Sequence, residues 1–245
     1  MNECVRIGMI IPSGGPEADY YAFEQVADAG VKLYFTISRI GGAHGNDHDL
    51  DALRETGQLA WITEAAQRLR GFDLDAITWA CTSGSFMSGS AFAARQAEAI
   101  GQAVEAPATS TSLSFVDAMR GLGLHKASVL ATYPEPTARA FCSFLGEAGL
   151  SVDALTCLDI PTGWDVPALP TETIVEKAVE AFSPGSDTLL IPDTAMPSLH
   201  FIETLEDRLN VPVLTANAVT LWGALELTGR GPSVSGYGTL LGQAI

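Results

Sequence analysis

Asp75-Ala76-Ile77-Thr78-Trp79-Ala80-Cys81-Thr82 and Asp187-Thr188-Leu189-Leu190-Ile191-Pro192-Asp193-Thr194 are two readings of one pattern. Each opens on an aspartate, runs through apolar residues and ends on a polar group followed by threonine. Asp187 lies 112 residues after Asp75, and Asp193 lies 112 after Cys81. Downstream, Ala106-Pro107-Ala108-Thr109-Ser110 matches Val211-Pro212-Val213-Leu214-Thr215. Each of these is followed by a helical stretch closing in glycine, at Gly123 and Gly229. The first apolar run, Ile7–Ile11, pairs in the same way with Ala127–Ala131. A repeat of this length means that one supersecondary unit occurs twice.

Eight apolar runs read as strands: Ile7–Ile11, Val31–Ile37, Ala76–Ala80, Ala106–Ser110, Ala127–Ala131, Val152–Leu158, Thr188–Ile191 and Val211–Leu214. They are continuous rather than alternating, as expected for strands covered on both faces. Amphipathic stretches lie between them, among them Leu50–Arg70, Ala91–Val104, Thr137–Ala148 and Thr171–Phe182. Strand then helix, repeated, predicts an α/β protein with parallel strands. Eight such units would also suit a (βα)₈ barrel. Because the repeat resets at the fifth strand, two Rossmann-like (flavodoxin-like) lobes with four-stranded parallel sheets and a cleft between them are the better reading. The expected division is an N-terminal lobe over residues 1–123, completed by the C-terminal helix and tail (216–245), and a C-terminal lobe over 124–215.

The 245 residues carry 13 Lys and Arg against 29 Asp and Glu, a net charge of −16. Nucleic acid and anionic membrane surfaces repel a chain of this sign. Hydrophobic residues make up 47% and charged residues 17%, a well-buried globular composition. No apolar run approaches the ~20 residues needed to span a bilayer. The start, with Glu3 and no basic segment, does not read as a signal peptide. Four scattered cysteines make no disulfide framework. A cytoplasmic protein is the expectation.

In open α/β sheets ligands bind at the carboxyl ends of the strands. Those ends carry Pro12-Ser13-Gly14-Gly15, Cys81-Thr82-Ser83-Gly84-Ser85, Thr132-Tyr133 and Asp193-Thr194-Ala195. Cys81 is the leading candidate. It ends an apolar strand and precedes a helix opening near Ser85, where backbone N–H groups and the helix dipole favour a thiolate. The competing reading is a buried cysteine acting as a small hydrophobe. Thr82 and Ser83 can hold a carboxylate by N–H and hydroxyl donation, and Thr194 and Ala195 a second one. The same residues also serve as helix caps. Asp193, the repeat partner of Cys81, is read both as an acid or base in a dry cleft and as a cap. Tyr133 offers a phenol to a substrate oxygen or sits on the rim with a solvated hydroxyl. His44 and His48 have metal-site spacing, but Gly41, Gly42, Gly45 and Asn46 break any helix there, so no metal is expected. Residues 38–49 read as a loop able to act as a lid. No phosphate-loop, dinucleotide or nucleophile-elbow motif is present in the sequence.

Ala80-Cys81-Thr82-Ser83-Gly84-Ser85 resembles the first-lobe cysteine motif of maleate cis–trans isomerases, in the aspartate/glutamate racemase superfamily with arylmalonate decarboxylases. The similarity extends through Ile7–Ser13, Ala106–Gly123, Thr132-Tyr133 and Val211–Trp222. The resemblance implies two pseudo-symmetric lobes and cofactor-independent chemistry at carbon next to a carboxylate. Cys81 would be nucleophile or proton carrier, Thr82 and Ser83 would bind a carboxylate, and Tyr133 would hydrogen-bond the substrate. Ser13 and Gly14 stand where isomerases tend to have an asparagine. Asp193 stands where a second cysteine is usual, and decarboxylases of the family keep that second cysteine and lack the first. The expected function is an isomerase or racemase of a small carboxylate, with Cys81 and Asp193 as its working pair. A malonate-type decarboxylase and a non-catalytic carboxylate-binding protein are the alternatives. No cofactor is expected, and a homo-oligomer is.

Overall fold

A computed structural model describes residues 4–14, 17–27, 30–42, 45–231 and 234–242. Glu3, Gly15, His44 and the last three residues, all touched on above, lie outside the described residues. The first half runs β1 (Val5–Ile11), α1 (Glu17–Val26), β2 (Val31–Ile37), α2 (Leu50–Thr56), α3 (Leu59–Gln67), β3 (Ala76–Trp79), α4 (Thr82–Phe86), α5 (Ser90–Val104), β4 (Ala108–Ser110) and α6 (Thr111–Gly121). The second runs β5 (Lys126–Ala131), α7 (Glu135–Glu147), β6 (Ser151–Cys157), α8 (Thr171–Ala181), β7 (Thr188–Ile191), α9 (Ile202–Leu209), β8 (Val213–Thr215), α10 (Ala216–Glu226) and α11 (Gly238–Gly242).

The sheets have orders β2-β1-β3-β4 and β6-β5-β7-β8, with all six pairings parallel. This is the expected repeat: two α/β units of the same winding rather than one barrel. In each sheet the first strand lies between its second and third, so successive crossovers leave it in opposite directions. That reversal opens a crevice at the carboxyl ends, β1/β3 in one sheet and β5/β7 in the other. Ser13 and Cys81 follow the first pair of strands, Thr132 and Asp193 the second.

The strands β1, β3, β5 and β7 are almost wholly buried, which accounts for their unbroken apolar runs. Two strands start later than their apolar runs suggest. Pro107 and Pro212 have no N–H to donate, and each contributes only its carbonyl, to Ile77 and Leu189, before β4 and β8 begin. The stretch 50–70 is two helices, because Gly57 closes α2 and turns its backbone onto α4. A Cβ at Gly57 would stand 2.6 Å from the Gly84 carbonyl oxygen. Gln96 secures the break by donating to the Gly57 carbonyl at 2.8 Å.

Helix α10 is buried on every side from Ala216 to Leu225, as its lack of a polar face requires. It packs on α6 and on β3 and β4 of the first sheet, as well as on β8, whose strand feeds it. Gly223 permits the approach: a Cβ there would fall 2.1 Å from Ser114 Oγ. The Thr111 and Thr220 hydroxyls close the same contact at 2.6 Å. Buried Asp19 of α1 reaches the other way. It accepts from Ser198 N at 2.6 Å, Leu199 N at 3.2 Å and Asn217 Nδ2 at 2.9 Å. No described helix is long and apolar enough to cross a membrane.

Candidate active site

The two crevices face one cavity of about 50 Å³. Ser13, Gly14, Cys81 and Ser83 come to it from the first sheet, and Asp193, Thr194 and Ala195 from the second. Pro12, Ile40 and Leu53 make an apolar wall, and Asp47, His48, Thr56 and Gly163 complete the lining. No Lys or Arg is among the described lining residues.

Cys81 sits at the start of α4, which opens at Thr82 rather than near Ser85. Its thiol is pushed up to about 12, because burial outweighs the Gly84 N–H and the Ser83 hydroxyl that favour the thiolate, and Asp193 nearby adds a further upward push. This corrects the expectation of a thiolate stabilised by a helix start. With five residues, α4 is little more than one turn and its dipole is correspondingly weak. Gly84 is required beside the sulfur: a Cβ would lie 3.2 Å from Cys81 Sγ and 2.7 Å from Trp79 Cη2.

Asp193 both caps a turn and faces the cavity. Its Oδ1 accepts from Ala195 N at 2.9 Å, and its Oδ2 accepts from the Thr132 hydroxyl. The Ala195 N–H expected to hold a substrate carboxylate is therefore occupied, although Ala195 itself lines the cavity. Thr82 and Tyr133 are not among the lining residues. Thr82 Oγ1 is buried without a hydrogen-bond partner. The Tyr133 phenol is buried and donates to the Pro192 carbonyl, so it is not a solvated rim group. Burial and the neighbouring Asp193 and Cys81 push this phenol well above its ordinary range.

Sequence reasoning weighed His48 only as a metal ligand and took Asp47-His48 only as part of a lid loop, not as lining of the site. The backbone and side chains of this segment are clasped to the second half of the chain. Asp47 accepts from the Thr162 hydroxyl and from Gly163 N at 2.9 Å. The His48 N–H donates to Pro161 O at 3.1 Å, and its carbonyl accepts from Thr137 Oγ1 at 2.8 Å. His48 Nδ1 lies 2.9 Å from Ile160 O, and its ring meets Tyr133 edge-on at 4.9 Å. Contacts between loops more than 100 residues apart leave no period in a sequence. The one visible clue was a titratable residue in a glycine-rich loop. Among the described residues no cluster of three or more His, Cys, Asp or Glu could hold a metal ion.

Residues 50–241 match the family model described as arylmalonate decarboxylase. The arylmalonate decarboxylase of Bordetella bronchiseptica is 30% identical over 97% of both chains. The chain belongs to the arylmalonate decarboxylase family. The maleate isomerase of Alcaligenes faecalis is 24% identical over 96% of both chains. Among solved structures, maleate isomerase from Pseudomonas putida S16 with maleate superposes with a TM-score of 0.89 at 23% identity, covering 99% of each chain. A Nocardia farcinica maleate cis–trans isomerase mutant carrying a covalently bound succinylcysteine intermediate gives 0.86 at 22% identity, covering 99% of this chain and 100% of that one. The family is thus one of enzymes, a decarboxylase and isomerases on one two-lobed fold.

Proposed function

We propose that the chain is a cofactor-independent isomerase of a small unsaturated carboxylic acid, with Cys81 as its nucleophile. The observation that carries this reading is a buried thiol at the wall of a cavity that the hydroxyl-bearing residues Ser13, Ser83 and Thr194 also line. In the reaction Cys81 Sγ forms a bond to one alkene carbon. The π pair moves to the other carbon, where the adjoining carboxylate delocalises it. Rotation about the resulting single bond and expulsion of the sulfur give the other geometric isomer, so no electrons or atoms are gained or lost. The covalently bound succinylcysteine of the Nocardia farcinica isomerase is an adduct of this kind. Ser13 and Ser83 supply hydroxyl donors and Thr194 a third, without a cation that would conflict with release of the anion. As in a succinyl adduct, the second carbon carries a proton while the sulfur is attached; Asp193, held by Thr132 and Ala195 and lining the same cavity as Cys81, would give that proton and take it back before the sulfur leaves.

A decarboxylase of a malonate-type acid is the second reading. The apolar wall of Pro12, Ile40 and Leu53 favours it, since such a wall can strip water from a carboxylate that leaves as CO₂. The test is one NMR screen of maleate and of alkyl- and arylmalonates with the purified protein. Conversion of maleate or a close analogue to its trans isomer is expected. Loss of CO₂ from malonates with no isomerisation of any unsaturated acid would replace the first reading by the second.

A further inference from the structure

Cys81 needs a base, because its buried thiol holds its proton at neutral pH. Four described lining residues can titrate: Asp47, His48, Cys81 itself and Asp193. Both aspartates have each carboxylate oxygen committed, Asp47 to Thr162 and Gly163 and Asp193 to Thr132 and Ala195. His48 differs. A carbonyl oxygen can only accept, so the contact with Ile160 O assigns a proton to Nδ1, and in the neutral ring Nε2 is then the acceptor. No hydrogen bond among the described residues engages Nε2. A Cβ at Gly163 would stand 3.4 Å from Asp47 Oδ2, 3.4 Å from His48 Nε2 and 3.5 Å from Ala195 Cβ, so the missing side chain keeps open the space between the Asp47-His48 segment and the Asp193 turn. The clasp through Pro161, Thr137 and Ile160 fixes the ring in this orientation.

We propose that His48 is a catalytic base of this enzyme, whose Nε2 takes the proton of the Cys81 thiol across the cavity that both residues line. This rests on the reading of Cys81 as nucleophile. As the Sγ–H bond breaks, its proton forms Nε2–H and the sulfur pair forms the S–C bond. When the sulfur is expelled, the imidazolium returns the proton to it, and the enzyme ends as it began. The titratable groups that line the cavity with His48 are Asp47 of its own segment, Cys81 from the first sheet and Asp193 from the second, and Tyr133 meets the ring edge-on.

The experiment is alkylation of Cys81 by iodoacetamide, a neutral reagent, followed by peptide mass spectrometry across pH 5–10 in wild type, His48→Asn and His48→Gln. Asparagine retains an amide N–H near the Nδ1 position to donate to Ile160, but neither amide can take a proton. In wild type, Cys81 is expected to be alkylated at pH 7. In the variants the rate at pH 7 falls at least ~10-fold, while turnover falls on the order of 10²-fold. An unchanged profile in a folded variant would overturn the proposal. So would a wild-type Cys81 that resists alkylation throughout, an outcome that needs no variant to fold. Failure of the nucleophile reading shows separately, as full turnover in Cys81→Ala.

Discussion

Replacing Gly84 by alanine tests the packing that holds the reactive sulfur. Alanine is the better helix former by up to ~1 kcal/mol, so local propensity alone predicts a gain in stability. The added methyl would stand 2.7 Å from Trp79 Cη2, 3.0 Å from Trp79 Cζ2 and 3.2 Å from Cys81 Sγ. Trp79 cannot yield, because it is fully buried in a cluster with Ile10, Ile62, Ala65 and Ile77. Overpacking of this kind costs about 1–3 kcal/mol, and a rigid indole puts it at the upper end. The net expectation is a loss of ~2 kcal/mol. Gly146, exposed in α7 with nothing within 4 Å of its Cβ position, is the matched control. The same substitution there is expected to gain a few tenths to ~1 kcal/mol. Urea unfolding at constant m-value measures both. Trp79→Phe removes the two indole carbons concerned, so combining it with Gly84→Ala should recover ~1 kcal/mol of coupling. Because the methyl also pushes on Sγ, turnover of Gly84→Ala should fall at least ~10-fold. A Gly84→Ala protein as stable and as active as wild type would refute the reasoning.

Other outcomes follow from the same contacts. Thr162→Val removes the hydroxyl that Asp47 accepts from in a buried clasp and should cost about 1–2 kcal/mol in urea unfolding. Asp19→Ala strips three donors of one buried acceptor and should cost about 2–4 kcal/mol. At alkaline pH the thiol of Cys81, raised in the folded state from 9.0 to about 12, makes stability fall. The unfolded chain ionises first, so the contribution is intact below about pH 9 and is lost between 9 and 12, at up to ~1.4 kcal/mol per pH unit. Cys81→Ser should flatten that part of a pH–stability curve. The steeper loss expected from the buried phenols of Tyr20 and Tyr133 should remain.

The two-lobed winding was legible because a strand covered on both faces must be apolar throughout, and the chain writes such strands twice at a fixed offset. The polar groups ending those strands, Cys81 and Asp193, could be read for the same reason. Helix boundaries were less legible where tertiary contact decided them: Gly57 ends α2 to let α4 approach, and α4 opens one residue after Cys81. The protonation of Cys81 was not legible at all. It depends on how completely the surrounding lobes exclude water, against which one helical turn has little effect. Tyr133 turned inward because the Pro192 carbonyl, on the neighbouring strand end, was there to accept its hydroxyl. Asp47 and His48 reach the cavity through bonds to Ile160, Pro161, Thr162 and Gly163, a pairing of two loops that neither periodicity nor repeat announces.

The central claim is that Cys81 attacks the substrate, and turnover of Cys81→Ala on the acid identified by the NMR screen tests it most directly. The account predicts a folded protein, with wild-type circular dichroism, whose rate is lower by on the order of 10³-fold or more. A folded Cys81→Ala protein that keeps its turnover would contradict it.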